Sequence, residues 1–181
     1  MNSKNAKKSD VKSLSSLLNK RADIYFELKD YKNALKHMFQ ILLIGGNVNS
    51  ELCFQIACCE RNIGNYKEAI DFFNVAIKTS YDVQPQYYIE RGFAYFMQEE
   101  YLFASKDLIK GLKWIIIHPQ AVRTLALCYE KLGDITEAMK NMLLAAEQGD
   151  QIALDYMKDL GGDYKEEELN ELLREQILGQ N

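Results

Sequence analysis

The stretch Ser50–Val83, SELCFQIACCERNIGNYKEAIDFFNVAIKTSYDV, decides the fold. It reads as two amphipathic helices joined by a tight turn at Asn62-Ile63-Gly64-Asn65. Gly64 can take the positive φ that closes the first helix, and Asn65 tolerates the turn that follows. Small residues stand where two helices must approach closely, Ala57 in the first and Ala69 and Ala76 in the second. Tyr66 and Phe73 supply bulk between them.

Outward from that stretch the same punctuation recurs. Ala34, Ala69, Ala104 and Ala138 are separated by 35, 35 and 34 positions. Three residues before each stands Tyr31, Tyr66, Tyr101 or Ile135, and four after each Met38, Phe73, Leu108 or Met142. The first helices supply Ala22, Ala57, Gly92 and Ala126 as their small residue. This pattern predicts four helix pairs, at about 15–48, 50–83, 85–118 and 119–150. Gly45-Gly46 stops the first pair, while Pro85 and Pro119 open the third and fourth, since proline suits a helix's first turn.

Alternating small and large residues at this period resemble the tetratricopeptide repeat (TPR), a helical hairpin of about 34 residues. The resemblance covers roughly residues 15 to 150. It implies an all-α chain folded as a right-handed superhelix, an α-solenoid of four hairpins. The family's terminal proline is missing after the first two units, where Gly46 and Tyr81 stand. The first unit fits least well, with Arg21 at an apolar position and Lys29 where the turn glycine belongs.

The flanks read differently. Residues 1–9 are expected to be disordered, with Ser9 or Asp10 capping a helix through Val11, Leu14, Leu17, Leu18, Ala22, Tyr25 and Leu28. Residues 151–181 are expected to form C-terminal capping helices. The first is Gln151 to Leu160; Gly161-Gly162 ends it, and Asp163 with Glu166 opens another to about Leu178. Leu169, Leu172, Leu173 and Ile177 share one side of that last helix, and five glutamates lie elsewhere on it. It either covers the apolar end of the stack or acts as a displaceable helix.

Composition narrows the function. At 181 residues the chain fits one domain, and 48 % apolar with 27 % charged residues is ordinary for a globular protein. A net charge of −4 gives no global reason to bind nucleic acid. No apolar run approaches the ~20 residues of a membrane span. Lys4, Lys7 and Lys8 precede no apolar segment, so the start is not expected to be a signal peptide. Four cysteines without framework spacing point to a reducing compartment, and a cytoplasmic location is expected.

Catalytic and metal chemistry are not expected. Cys53 and Cys58 are five apart, Cys58 and Cys59 point to different sides of a helix, and Cys128 is remote, which suits buried thiols better than zinc. His37 and His118 are too scattered for a catalytic constellation. No cofactor is anticipated.

In proteins resembling this one, the first helices line a concave groove that takes a partner peptide. Carrying that register over places Asn19, Asp23, Phe26 and Glu27, then Glu51, Phe54, Cys58 and Arg61, in the groove. The third unit adds Gln86, Ile89, Phe93, Phe96 and Met97, and the fourth Gln120, Arg123, Leu127 and Glu130. An apolar strip of Phe54, Ile89, Phe93, Phe96 and Leu127, rimmed by Asp23, Arg61, Arg123 and Glu130, would bind a segment with apolar anchors. Tight curvature would instead pack those side chains as ordinary core.

The carboxylate clamp by which some TPR units hold acidic chaperone tails maps onto Asn19, Asp23, Gln55, Gln86 and Glu90, which lack the required cation. A weaker resemblance, carried by CFQIACCERNIGNYKEAIDFFNVAIK, is to class II chaperones of type III secretion, whose grooves hold apolar translocator clients. Trp114-Ile115-Ile116-Ile117 remains, closing the sixth helix with four apolar side chains. It is expected to be core in part; any exposed portion would serve self-association and make a homo-oligomer possible.

Overall fold

The computed structural model describes residues 2–160, with side chains from Asp10 to Asp159, so the helix expected over 163–178 lies outside the described residues. Within them are nine helices and no strand: α1 (Asn2–Glu27), α2 (Tyr31–Leu43), α3 (Ser50–Asn62), α4 (Tyr66–Thr79), α5 (Pro85–Met97), α6 (Tyr101–Leu112), α7 (Pro119–Leu132), α8 (Ile135–Glu147) and α9 (Gln151–Leu160). They pair as α1/α2, α3/α4, α5/α6 and α7/α8, each second helix packs on the next first helix, and α9 closes against α8. This is the all-α solenoid of four hairpins.

One turn is used four times. Lys29, Gly64, Glu99 and Gly133 all have a positive φ, between 59° and 90°, and each ends a first helix. Two of the four are not glycine, a backbone strain of order 1 kcal/mol apiece that the hairpin packing holds in place. Asp30 and Asp134 then cap α2 and α8, their carboxylates accepting from the backbone N–H of Asn33 and Glu137.

Packing explains the recurring small residues. Ala34, Ala69 and Ala104 are completely buried, and each lies at the crossing of a helix pair. At Gly92 a Cβ would stand 2.9 Å from Leu108 Cγ, so α5 and α6 approach more closely than alanine allows. Met38, Phe73, Leu108 and Met142 fill the spaces between pairs. The third pair departs from an all-apolar interior. There Arg91 makes two hydrogen bonds to the buried Asp107, 2.6 Å from Nε and 2.8 Å from Nη2, while its Nη1 donates to Asn74. The guanidinium lies near the rings of Tyr88 and Tyr95.

Two boundaries differ from the sequence expectation. α1 begins at Asn2 rather than at Asp10, so residues 2–9 extend the helix where disorder was expected. α6 ends at Leu112, not Ile116, because the Trp114 amide bonds back to the Gly111 carbonyl and the chain leaves the axis. As a result Ile115 packs on the core, whereas Trp114, Ile116 and Ile117 are exposed on the loop before Pro119. No described helix is long and apolar enough to cross a membrane.

Candidate functional site

Successive first helices touch, α3 with α5 and α5 with α7, more closely than successive second helices do. The stack therefore curves with its first helices inside. That inner face is where the groove residues were expected, and its geometry divides them into three groups.

Ile89 (0 % exposed), Phe93 (8 %) and Cys58 are buried, so they belong to the packing between repeats and form no open apolar trough. Phe54 is half-buried, its ring stacked on Tyr87 at 4.4 Å and 5.8 Å from Phe73. Phe26 and Phe96 lie edge-on to Tyr31 and Tyr101 of their own pairs at 5.7 Å each, and Phe26 also packs on the second pair. Tight curvature is the cause. It brings consecutive first helices close enough to close over the large side chains between them.

What faces outward above this layer is polar. Arg61 Nη2 lies 2.9 Å from Glu90 Oε2, and the same guanidinium covers the Phe93 ring at 5.9 Å. The same ring lies 6.1 Å from that of His118, whose Nδ1 accepts from the Ala121 amide at the start of α7. Arg123 Nε lies 2.9 and 3.1 Å from the two oxygens of Asp150. Burial works against the Asp150 charge, but the Ala153 amide and Arg123 outweigh it and hold the carboxyl below its ordinary range. Tyr87 donates to Glu51 across α3 and α5. Two polar links thus tie α3 to α5 across the inner face, and a third ties α7 to the turn before α9.

The third group stays open. Asn19 and Asp23 from α1, Asn47 and Asn49 from the following loop, and Glu51 and Gln55 from α3 surround a cleft of about 240 Å³. Further along, Met97 is 52 % exposed, and Leu127 and Glu130 are half-buried. Asp23, Glu27 and Glu51 have no ion-pair partner among the described residues, while Arg61 and Arg123 are neutralised by theirs. The first two pairs therefore present a net acidic inner surface.

Sequence reasoning placed Asn19, Asp23, Arg61, Met97, Arg123 and Glu130 at or near this surface but missed the Asn47-Asn49 wall and the pairing of Arg61 and Arg123. The signal existed. Opposite charges stand at 61 and 90 in the second and third units, and at 123 and 150 at the two ends of the fourth.

The cysteines offer no reactive centre. Cys53, Cys58, Cys59 and Cys128 are buried free thiols. Burial pushes Cys59 and Cys128 up to about 12 from an ordinary value near 9, and raises Cys58 further, with Glu90 adding to the effect. Since the folded state favours the neutral thiol, its contribution to stability is complete below pH 9 and lost as pH climbs from 9 toward 12. A disulfide exchange reagent at pH 8 should label these thiols no faster than the hairpins that enclose them unfold; fast native labelling of Cys58 or Cys59 would contradict their burial.

The tetratricopeptide repeat family model matches residues 15–40, 50–82 and 124–148. No curated protein sequence matches the chain. Among solved structures, a MamA fragment from Desulfovibrio magneticus RS-1 superposes with a TM-score of 0.73 at 17 % identity, over 93 % of this chain and 97 % of that one. A second MamA crystal structure gives 0.68 at 21 % identity, over 83 % and 86 %. YrrB, a TPR protein described as having an unusual peptide-binding site, gives 0.70 at 14 % identity, over 80 % and 74 %. At these identities the likeness is one of fold. The repeat matches, the four left-handed turns in register and the hairpin stack agree, and this chain is a tetratricopeptide-repeat protein.

Proposed function

We propose that this protein is an interaction module whose inner face holds an extended segment of a partner protein, serving as an adaptor or scaffold. The observation that carries the reading is the open cleft between α1 and α3, where Asn19, Asp23, Asn47 and Gln55 stand beside Asn49, which caps α3, and Glu51, which accepts from Tyr87. Amide side chains at such spacing can pair with a peptide backbone, and Asp23 with Glu51 favour a basic side chain. Met97 and Leu127 supply apolar contact at the other end of the same face. The preferred ligand is thus a basic segment with one or two apolar anchors. An apolar secretion client is less well served, because Phe93 lies beneath Arg61 and Ile89 is closed over by α6.

A peptide library selected on the parent protein tests this. Asp23→Lys with Glu51→Lys should weaken the selected peptides about tenfold or more, the scale of losing a desolvated charge pair at an interface. Lys67→Glu, on α4 outside the groove, should leave them unchanged. Peptides indifferent to the first change and sensitive to the second would place the binding surface elsewhere.

A further inference from the structure

In pairs two to four, the face of each first helix that meets the preceding pair is buried. Leu52, Ile56 and Cys59 show this on α3, and Ala121, Leu125 and Cys128 on α7. On α1 and in the turn that ends it, the equivalent positions are Leu17, Arg21, Ile24 and Leu28. No described helix packs on them. Leu17 is 49 %, Ile24 55 % and Leu28 70 % exposed, and Leu14 continues the stripe at 45 %. The stack therefore has an open end built to receive a second helix.

The chain also carries a segment with the sequence of such a helix. Gly162-Asp163-Tyr164-Lys165-Glu166 repeats Gly64-Asn65-Tyr66-Lys67-Glu68, the turn that opens α4. Leu169, Leu172, Leu173 and Ile177 follow at helical spacing. As a helix, residues 163–178 would extend about 24 Å, against about 21 Å from Leu14 to Leu28 on α1. The charges are complementary. Residues 2–21 hold Lys4, Lys7, Lys8, Lys12, Lys20 and Arg21 against Asp10, whereas residues 161–181 hold Asp163, Glu166, Glu167, Glu168, Glu171 and Glu175 against Lys165 and Arg174. The remaining acidic groups of α1, Asp23 and Glu27, belong to the inner face.

We propose that residues 163–178 of one copy dock on the open α1 face of a second copy, so that chains stack head to tail. The occupant comes from another copy because α9 ends at the opposite end of the stack. Four hairpin steps of roughly 10 Å each separate the two ends, farther than a helix of this length reaches. The same helix can still lie against its own α9, as every second helix does against its own first. Such an interface is heterologous, and its growth is open-ended unless the rotation closes a ring. This inference is independent of the ligand assigned to the inner face.

Sedimentation of the full chain decides it. The parent should self-associate with concentration, more weakly at high salt. Leu17→Glu with Ile24→Glu alters exposed side chains only, so it should keep the parent's helicity and melting temperature yet weaken association about tenfold or more. Leu172→Glu with Leu173→Glu should do the same from the other partner. Mixed in equal amounts, the two variants should form a 1:1 dimer and nothing larger, since each retains the half that the other has lost. Three results would overturn the proposal: a parent that stays monomeric at high concentration, association undiminished in the α1 variant, or a mixture that fails to dimerise. The last would mean that residues 163–178 cap their own stack or that copies meet face to face.

Discussion

Arg91→Ala should destabilise the protein by about 3–5 kcal/mol, while Arg91→Met combined with Asp107→Leu should recover most of that loss. The asymmetry follows from where the charges sit. Asp107 is 7 % exposed, and both of its oxygens are occupied by Arg91. Truncating the arginine leaves a carboxylate enclosed by α5 and α6 with its strongest donor gone. Removing both charges and filling the space with apolar groups removes the desolvation cost together with the attraction. The arginine also spreads over Tyr88 and Tyr95, so a methionine stem retains part of its packing. Urea unfolding of the two variants measures the difference. A loss below about 1 kcal/mol for Arg91→Ala would mean that water reaches Asp107 freely.

The same network shows where sequence reading reached and where it stopped. The hairpins were legible because their determinants are local: a left-handed turn residue, a cap one residue later, and an alanine at each crossing. These positions recur in register even where the residue type fails, as at Lys29 and Glu99, because the turn geometry is imposed by the helices on both sides. Arg91 stands where α3 has Ile56 and α7 has Leu125, and its partner Asp107 is sixteen residues away on the next helix. Amphipathic periodicity alone treats both as surface charges. Only the pairing in space makes them interior.

The inner face was misjudged for a related reason. Register identifies which side of a first helix looks toward the concave surface. It does not give the depth at which a side chain ends, because depth depends on curvature and on what the neighbouring unit contributes. Phe93 and Ile89 occupy groove positions, yet Arg61, held by Glu90, and His118 crowd the phenylalanine ring, and α6 closes over Ile89 at Gly111. Asn19 and Asp23 hold equivalent positions and stay open, since the neighbouring loop at Asn47–Asn49 stands back from them. The termini were harder still. The helical start of α1 has a low apolar content and carries no cap signal that would separate it from a polar tail.

Phe73→Ala should cost about 3–5 kcal/mol, and Phe73→Leu less than about half of that. Phe73 is completely buried, and it packs with Ala57, Ala69, Ile70 and Ala94, so the cavity left by truncation is lined on several sides by residues with little side chain to move inward. Phe54, whose ring lies 5.8 Å from that of Phe73, is held by its stacking on Tyr87 and is poorly placed to fill the space. Against a typical total of 5–15 kcal/mol, this loss removes a large share of the stability of the stack. It should not be spread evenly. In a linear stack each unit is stabilised by its neighbours alone, and Phe73 belongs to the pair that joins the first unit to the third. The variant should therefore lose hydrogen-exchange protection in α1 to α4 at a urea concentration where α5 to α8 remain protected. The third and fourth pairs keep a cluster of their own, from Ile89 and Leu108 to Leu125 and Cys128, and hold together without the second. Equal loss of protection along all eight helices would show instead that the four hairpins unfold as a single unit.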